Sequence, residues 1–160
     1  MMNVEILKHL AKNARYTIHD LSVMCNLTPE EVTAEIKELE KAGLIRGYKT
    51  VVDWEKLDSA KVSAIIELKV VPEADNGFES FAEEIRRFPE VESVYLMSGT
   101  YDFNVVVKAR TFQEVCMFVA KCLAPMKGVT STATHFVLRR YKEMDIDLCD
   151  DSDDRRKMSL

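Results

Sequence analysis

Apolar residues recur at helical spacing through the first fifty positions and alternate after position 62, and this change of period divides the chain. Val4, Leu7, Leu10 and Ala11 mark a first helix ending near Asn13. Thr17, with Asp20 three residues on, has the form of a capping box, and Leu21, Met24 and Cys25 supply the apolar side of a second helix. Asn26 and Leu27 make a turn. Thr28 then caps a third helix, with Pro29 at its first position, Glu31 closing another capping box, and Val32, Ile36 and Leu39 at core spacing. Gly43 ends it. Leu44 to Val52 reads as extended, with Gly47 as a turn, which predicts a small wing or a linker strand. Trp54 to Lys61 reads as a polar linker with one aromatic anchor.

From Val62 the period becomes two. Val62, Ala64, Ile66, Leu68 and Val70 alternate with Ser63, Ile65, Glu67 and Lys69, a strand with one well-buried face that Pro72 terminates. Phe78, Phe81, Ile85 and Phe88 return to helical spacing before Pro89. Val91 to Met97 and Phe103 to Ala109 read as two strands joined by Ser98-Gly99-Thr100-Tyr101. Thr111 and Glu114 open a further helix through Phe112, Val115, Val119 and Cys122, broken by Pro125 and Gly128. Val129 to Tyr141 reads as a last, long strand.

The order β-α-β-β-α-β is that of a ferredoxin-like sandwich, two helices on one face of a sheet. The fold class is therefore α+β: a helix-turn-helix, winged-helix-like module over 1–47, a linker strand over 48–61, a ferredoxin-like domain over 62–143 and an acidic, disordered tail over 144–160. Ile65 and Val71 lie opposite Ile66 and Leu68, so the uncovered sheet face is expected to be apolar and to pair with another copy.

Nearly half of the 160 residues are apolar, which supports a core and excludes global disorder. No apolar run is long enough to span a bilayer, and Met1-Met2-Asn3-Val4-Glu5 lacks the basic and apolar regions of a signal peptide, so the expectation is a cytoplasmic protein with no membrane partner. Cys25, Cys116, Cys122 and Cys149 form no C-x-x-C pair and read as buried small hydrophobes rather than a zinc or disulfide framework. Net charge is −5, yet residues 1–50 hold seven basic and seven acidic side chains, and the acidity concentrates in the tail. The helix-turn-helix module is thus neutral.

With Val32, Ile36 and Leu39 facing inward, Glu30, Ala34, Lys37 and Lys41 point outward with Thr33 on one shoulder, while Glu31, Glu35 and Glu38 line the other. Lys37 and Lys41 can face phosphate or base, Thr33 can reach a base edge or phosphate, and Arg15, Arg46 and Lys49 can hold the DNA backbone from outside the helix. The glutamates equally suit a solvated face, with Glu30 and Glu31 favoured by the helix dipole. Physical reading of Met97 to Asp102 gives an ordinary hairpin with Asp102 bonded locally. The hydroxyls of Thr130, Ser131, Thr132 and Thr134 need no function, since threonine suits strands. His135 reads as a packed or interface residue. No nucleophile-base constellation, phosphate loop or paired-histidine metal motif is visible, so neither catalysis nor a cofactor is expected.

Three stretches in order carry a resemblance: Leu39-Glu40-Lys41-Ala42-Gly43-Leu44-Ile45-Arg46-Gly47-Tyr48, Phe88-Pro89-Glu90-Val91, and Ser98-Gly99-Thr100-Tyr101-Asp102-Phe103. Together, over roughly Val4 to Lys142, they resemble the Lrp/AsnC (feast/famine) family of prokaryotic transcription regulators. The resemblance implies a regulator of double-stranded DNA, with Thr28 joining Thr33, Ala34, Lys37, Lys41, Arg15 and Arg46 at the DNA. It also implies a homodimer, in some members an octamer, and an amino-acid effector bound where dimers meet. Met97, Gly99, Thr100, Tyr101 and Asp102 map onto the effector loop, and Thr130, Ser131, Thr132 and Thr134 onto the polar segment facing it from a neighbouring subunit. The family pattern has basic residues at Glu35 and Glu38, so weaker phosphate attraction is expected here. Two alternatives stay open: an amino-acid sensor with little DNA binding, and a relative of the tetrapyrrole-processing sirohaem decarboxylases.

Overall fold

A computed structural model describes residues 3–57, 61–72 and 77–149. The chain divides between Val51 and Val52 into two compact units.

The first unit holds three helices: α1 (Val4–Lys12), α2 (Ile18–Cys25) and α3 (Pro29–Lys41). Each starts on a side chain that satisfies otherwise orphaned N–H groups. Asn3 Oδ1 accepts from the N–H groups of Glu5 and Ile6. Thr17 with Asp20, and Thr28 with Glu31, form the expected capping boxes. Asn26 ends α2 in the left-handed region, at φ +53°. The three apolar stripes meet in a core of Ile6, Leu21, Val32 and Leu39, flanked by Leu7, Leu10, Tyr16 and Ile36.

Gly43 turns the chain out of α3 at φ +70°, and Leu44 and Ile45 both donate to the Leu39 carbonyl. Those N–H groups close the helix instead of pairing with a strand. The expected wing or linker strand over 44–52 and the linker strand over 48–61 are corrected: described residues 44–57 contain no strand, and Trp54–Lys56 is a 3-10 turn started by Asp53.

The second unit is built on strands β1 (Val62–Val70), β2 (Val91–Leu96), β3 (Phe103–Ala109) and β4 (Val129–Phe136), antiparallel throughout in the order β2-β3-β1-β4. Helices α4 (Glu79–Ile85) and α5 (Phe112–Phe118) join them in the β-α-β-β-α-β order the pattern predicted. Ala64, Ile66 and Leu68 of β1 and Phe103, Val105 and Val107 of β3 are buried with Phe81 and Ile85 of α4 and Val115 and Phe118 of α5.

Four expectations change here. Helix α5 continues into a wider π turn, Val119–Leu123. The last strand stops at Phe136 rather than Tyr141. Beyond it, β5 (Lys142–Glu143) and β6 (Ile146–Asp147) form a hairpin that Met144 and Asp145 turn at positive φ, so 144–149 is not a disordered tail, while 150–160 lies outside the described residues. Cys116 and Cys149 are exposed rather than buried.

The sheet face away from the helices is also less apolar than expected. Residues opposed in an antiparallel pair share a face. Ile65 stands between Val106 and His135, but Glu67 stands between Asn104 and Ala133, and Lys69 opposes Ser131. His135 Nε2 lies 3.4 Å from a Glu67 carboxylate oxygen. The apolar centre is narrow and polar groups surround it.

Candidate functional site

The first candidate surface is the outer side of α3. At about 100° per residue, Thr33, Lys37, Lys41 and Ala34 span an arc of roughly 100°, opposite buried Val32 and Leu39. Ala34, Lys37 and Lys41 are exposed, as are Arg15 and Arg46. Thr28 is committed to the cap: its N–H donates to Glu31 Oε2 at 2.8 Å, and its hydroxyl accepts from Glu31 N–H at 3.2 Å. The Thr33 hydroxyl donates to the Pro29 carbonyl at 2.8 Å, leaving its lone pairs to accept.

The acidic shoulder divides into three separate roles. Glu31 closes the cap. Half-buried Glu35 accepts the backbone N–H of Asn3, tying the middle of α3 to the start of α1. Glu38 lies 3.9 Å from Lys41, both well exposed, a pair that contributes little energy and partly offsets the Lys41 charge. Glu40 accepts from the Tyr48 hydroxyl at 3.1 Å; burial first, and then that carboxylate, push the phenol pKa up. Lys37 is the cation of the outer stripe with no carboxylate partner among the described residues. The side chain of Arg46 lies over Gly43, where a Cβ would stand 3.0 Å from its guanidinium carbon.

The second candidate surface is one end of the sheet. The loop from Met97 to Asp102 and the start of β4 flank the end of β1. Here the pairing of β1 with β4 slips: Lys69 opposes Ser131 while Val70 opposes Val129, so Thr130 is an extra residue, a bulge. Its hydroxyl donates to the Lys69 carbonyl at 3.1 Å. Asp102 Oδ2 accepts the Val70 N–H at 2.8 Å, and its own N–H donates to the Leu68 carbonyl. The expected local turn bond of Asp102 is thus a long-range one, 32 residues away in sequence. Its carbonyl accepts the Met97 N–H at 2.7 Å, closing the loop.

Gly99 and Thr100 are exposed, and no atom lies within 4 Å of where a Cβ on Gly99 would stand. Half-buried Tyr101 accepts from Asn104 Nδ2 at 3.4 Å. Thr132 and Thr134 oppose Leu68 and Ile66 on the helix-covered face, whereas Ser131 points to the open face. The hydroxyl row is therefore split, with Ser131 beside the bulge and Thr132 and Thr134 turned away from it. The Glu35 contact and the Thr130 bulge gave no sequence signal, because both depend on what stands opposite.

The model of the Lrp/AsnC ligand-binding domain matches residues 63–146, and a winged helix-turn-helix DNA-binding model matches residues 3–46. The chain belongs to the Lrp/AsnC family. It is 42% identical to an uncharacterized HTH-type transcriptional regulator, YugG, of Bacillus subtilis over 86% of this chain and 84% of that protein. To a leucine-responsive regulatory protein of Haemophilus influenzae it is 29% identical, over 89% and 85%. A transcriptional regulator of Neisseria meningitidis, solved in complex with L-methionine, matches with a TM-score of 0.70 at 28% identity, over 88% of this chain and 90% of that one. This Lrp/AsnC member is a transcription regulator with a DNA-binding helix-turn-helix and a ligand-binding sheet domain.

Proposed function

We propose that this regulator reads double-stranded DNA in a sequence-specific way through α3, as a cytoplasmic homo-oligomer whose assembly or DNA affinity responds to an amino acid. The observation that carries the reading is the exposed outer side of α3, where Ala34, Lys37 and Lys41 stand with Thr33 on the shoulder and Lys37 has no carboxylate partner among the described residues. Lys37 and Lys41 meet phosphate or base edges, Thr33 accepts from a base or bridging water, and Arg15 and Arg46 clamp the backbone. The inward role of Glu35 removes one of the two glutamates that favoured a sensor without DNA.

The effector surface is the exposed rim of the loop, Met97, Gly99 and Thr100, with Ser131 on the open face beside the bulge. The relative solved with L-methionine supports an amino acid there. Because the sheet end in one subunit offers few unengaged polar groups, a neighbouring subunit completes the site. The effector then biases subunit contacts, and with them the spacing of helix-turn-helix pairs on DNA.

Gel mobility shift and footprinting on the promoter region of its own gene, with and without an amino-acid mixture, test the reading. Lys37→Ala with Lys41→Ala should weaken binding to every sequence and lower the salt slope by about 2, one per lost phosphate contact. Equal binding to all sequences, unmoved by amino acids, overturns it.

A further inference from the structure

A groove of about 480 Å³ lies at the other end of the sheet domain, bounded by the end of β3 and the helical run from α5 into the π turn. From Phe103 to Ala109 the strand rises about 3.3 Å per residue, which puts this groove roughly 20 Å from the loop discussed above. Pro89, Met117 and Phe118 give it an apolar floor, and the Phe118 ring is held edge-on by Phe88 at 5.3 Å. Lys61, Lys108, Arg110 and Lys121 ring it.

Two of the three acids nearby are already engaged. Glu114 accepts from the Arg110 N–H at 2.8 Å and from its guanidinium at 3.3 Å. The backbone N–H of Arg110, first, holds that carboxyl below the usual carboxylate range. Glu92 pairs with Lys108. Lys61 and Lys121 have no carboxylate partner among the described residues, and Glu90 is the remaining acid of the lining. Two lysines against the single acid Glu90 leave a net positive rim over an apolar floor, which favours a negative head with an apolar body. Two lysines repel an ammonium group placed next to that head.

We propose that this groove binds a small organic acid, a carboxylate with an apolar body and no amino group, held by Lys61 and Lys121 over Met117 and Phe118. The site is separate from the amino-acid surface and stands or falls independently of it.

The test titrates phenylacetate into the full chain labelled with nitrogen-15, without DNA, with L-phenylalanine and inorganic phosphate as parallel arms. Phenylacetate should saturably shift the amides of Lys108, Arg110 and Lys121, and added salt should weaken it. Both lysines are exposed, so Lys61→Ala with Lys121→Ala should leave the melting temperature unchanged while lowering affinity at least about tenfold, charge-assisted bonds being the strong ones. Lys61→Arg with Lys121→Arg should restore binding. The proposal is overturned by an absence of shifts, by shifts centred on 97–102, by undiminished affinity in the alanine variant, or by phosphate or L-phenylalanine binding as tightly as phenylacetate.

Discussion

The two units of this regulator hold themselves together in different ways. The helix-turn-helix has four fully buried apolar residues among those described and depends mainly on side chains that cap its helices from positions within three residues, alongside the longer tie from the Asn3 N–H to Glu35. The sheet domain has a core of fourteen buried residues, and its ends are tied by bonds across long sequence separations, such as Asp102 to Val70. Local ties make a small unit readable and fragile; long-range ties make a larger one robust but place its critical bonds where neighbours in sequence give no hint.

Core truncation should separate the units most sharply. Leu39→Ala should cost about 2–5 kcal/mol, enough to unfold much of a four-residue core. Leu68→Ala, with a similar nominal cost, should leave the sheet domain folded at room temperature. Amide hydrogen exchange checks both: if Leu39→Ala leaves protection in α1 and α3 intact, the contrast between the units fails. Next, Asp102→Ala should strand the buried-side Val70 N–H and cost about 1–3 kcal/mol, read as a lower denaturant midpoint. Asp102→Asn, which keeps an acceptor, should recover most of it.

Thr28→Ala should cost about 1 kcal/mol, the value of a lost N-cap, measured by thermal melting, with α3 fraying first in exchange. The smallest effect is with pH. The Thr17 hydroxyl and then its N–H hold the Asp20 carboxyl below its ordinary value. A lowered folded-state pKa gives stability that is present above the unfolded pKa and lost as pH falls through the folded one. Melting temperature should therefore decline on acidification below the usual aspartate range, and Thr17→Ala should flatten that decline.

Much of the first unit was legible in the sequence. Both capping boxes, the turn at Asn26 and the stop at Gly43 rest on what a residue does to its own backbone neighbourhood, through a short polar side chain or, at Gly43, through the lack of one. The order of elements along the second unit was legible too, because alternation in β1 and helical spacing in α4 mark where strand gives way to helix. What escaped was whatever depends on register or opposition. The hairpin at Lys142 to Asp147 sat in a stretch whose aspartates suggested solvent. The π turn has no spacing of its own, since Val115, Val119 and Cys122 also fit an α-helix. Likewise, the acid on α3 looked like one negative stripe until Glu35 met Asn3.

The bulge at Thr130 works as a parity device. Side chains in a strand belong to odd or even ranks, and one unpaired residue lets the chain before it and the chain after it keep opposite ranks. Before it, Gly128 must accept the Val71 N–H, at φ +89° and with a Cβ position only 2.8 Å from Phe81 and from the Val71 carbonyl. After it, Thr132, Thr134 and Phe136 must keep rank with Leu68, Ile66 and Ala64. Deleting this one residue would force a choice between those two appointments: either the glycine junction opens, or Phe136 and both threonines exchange sides with Ser131 and His135.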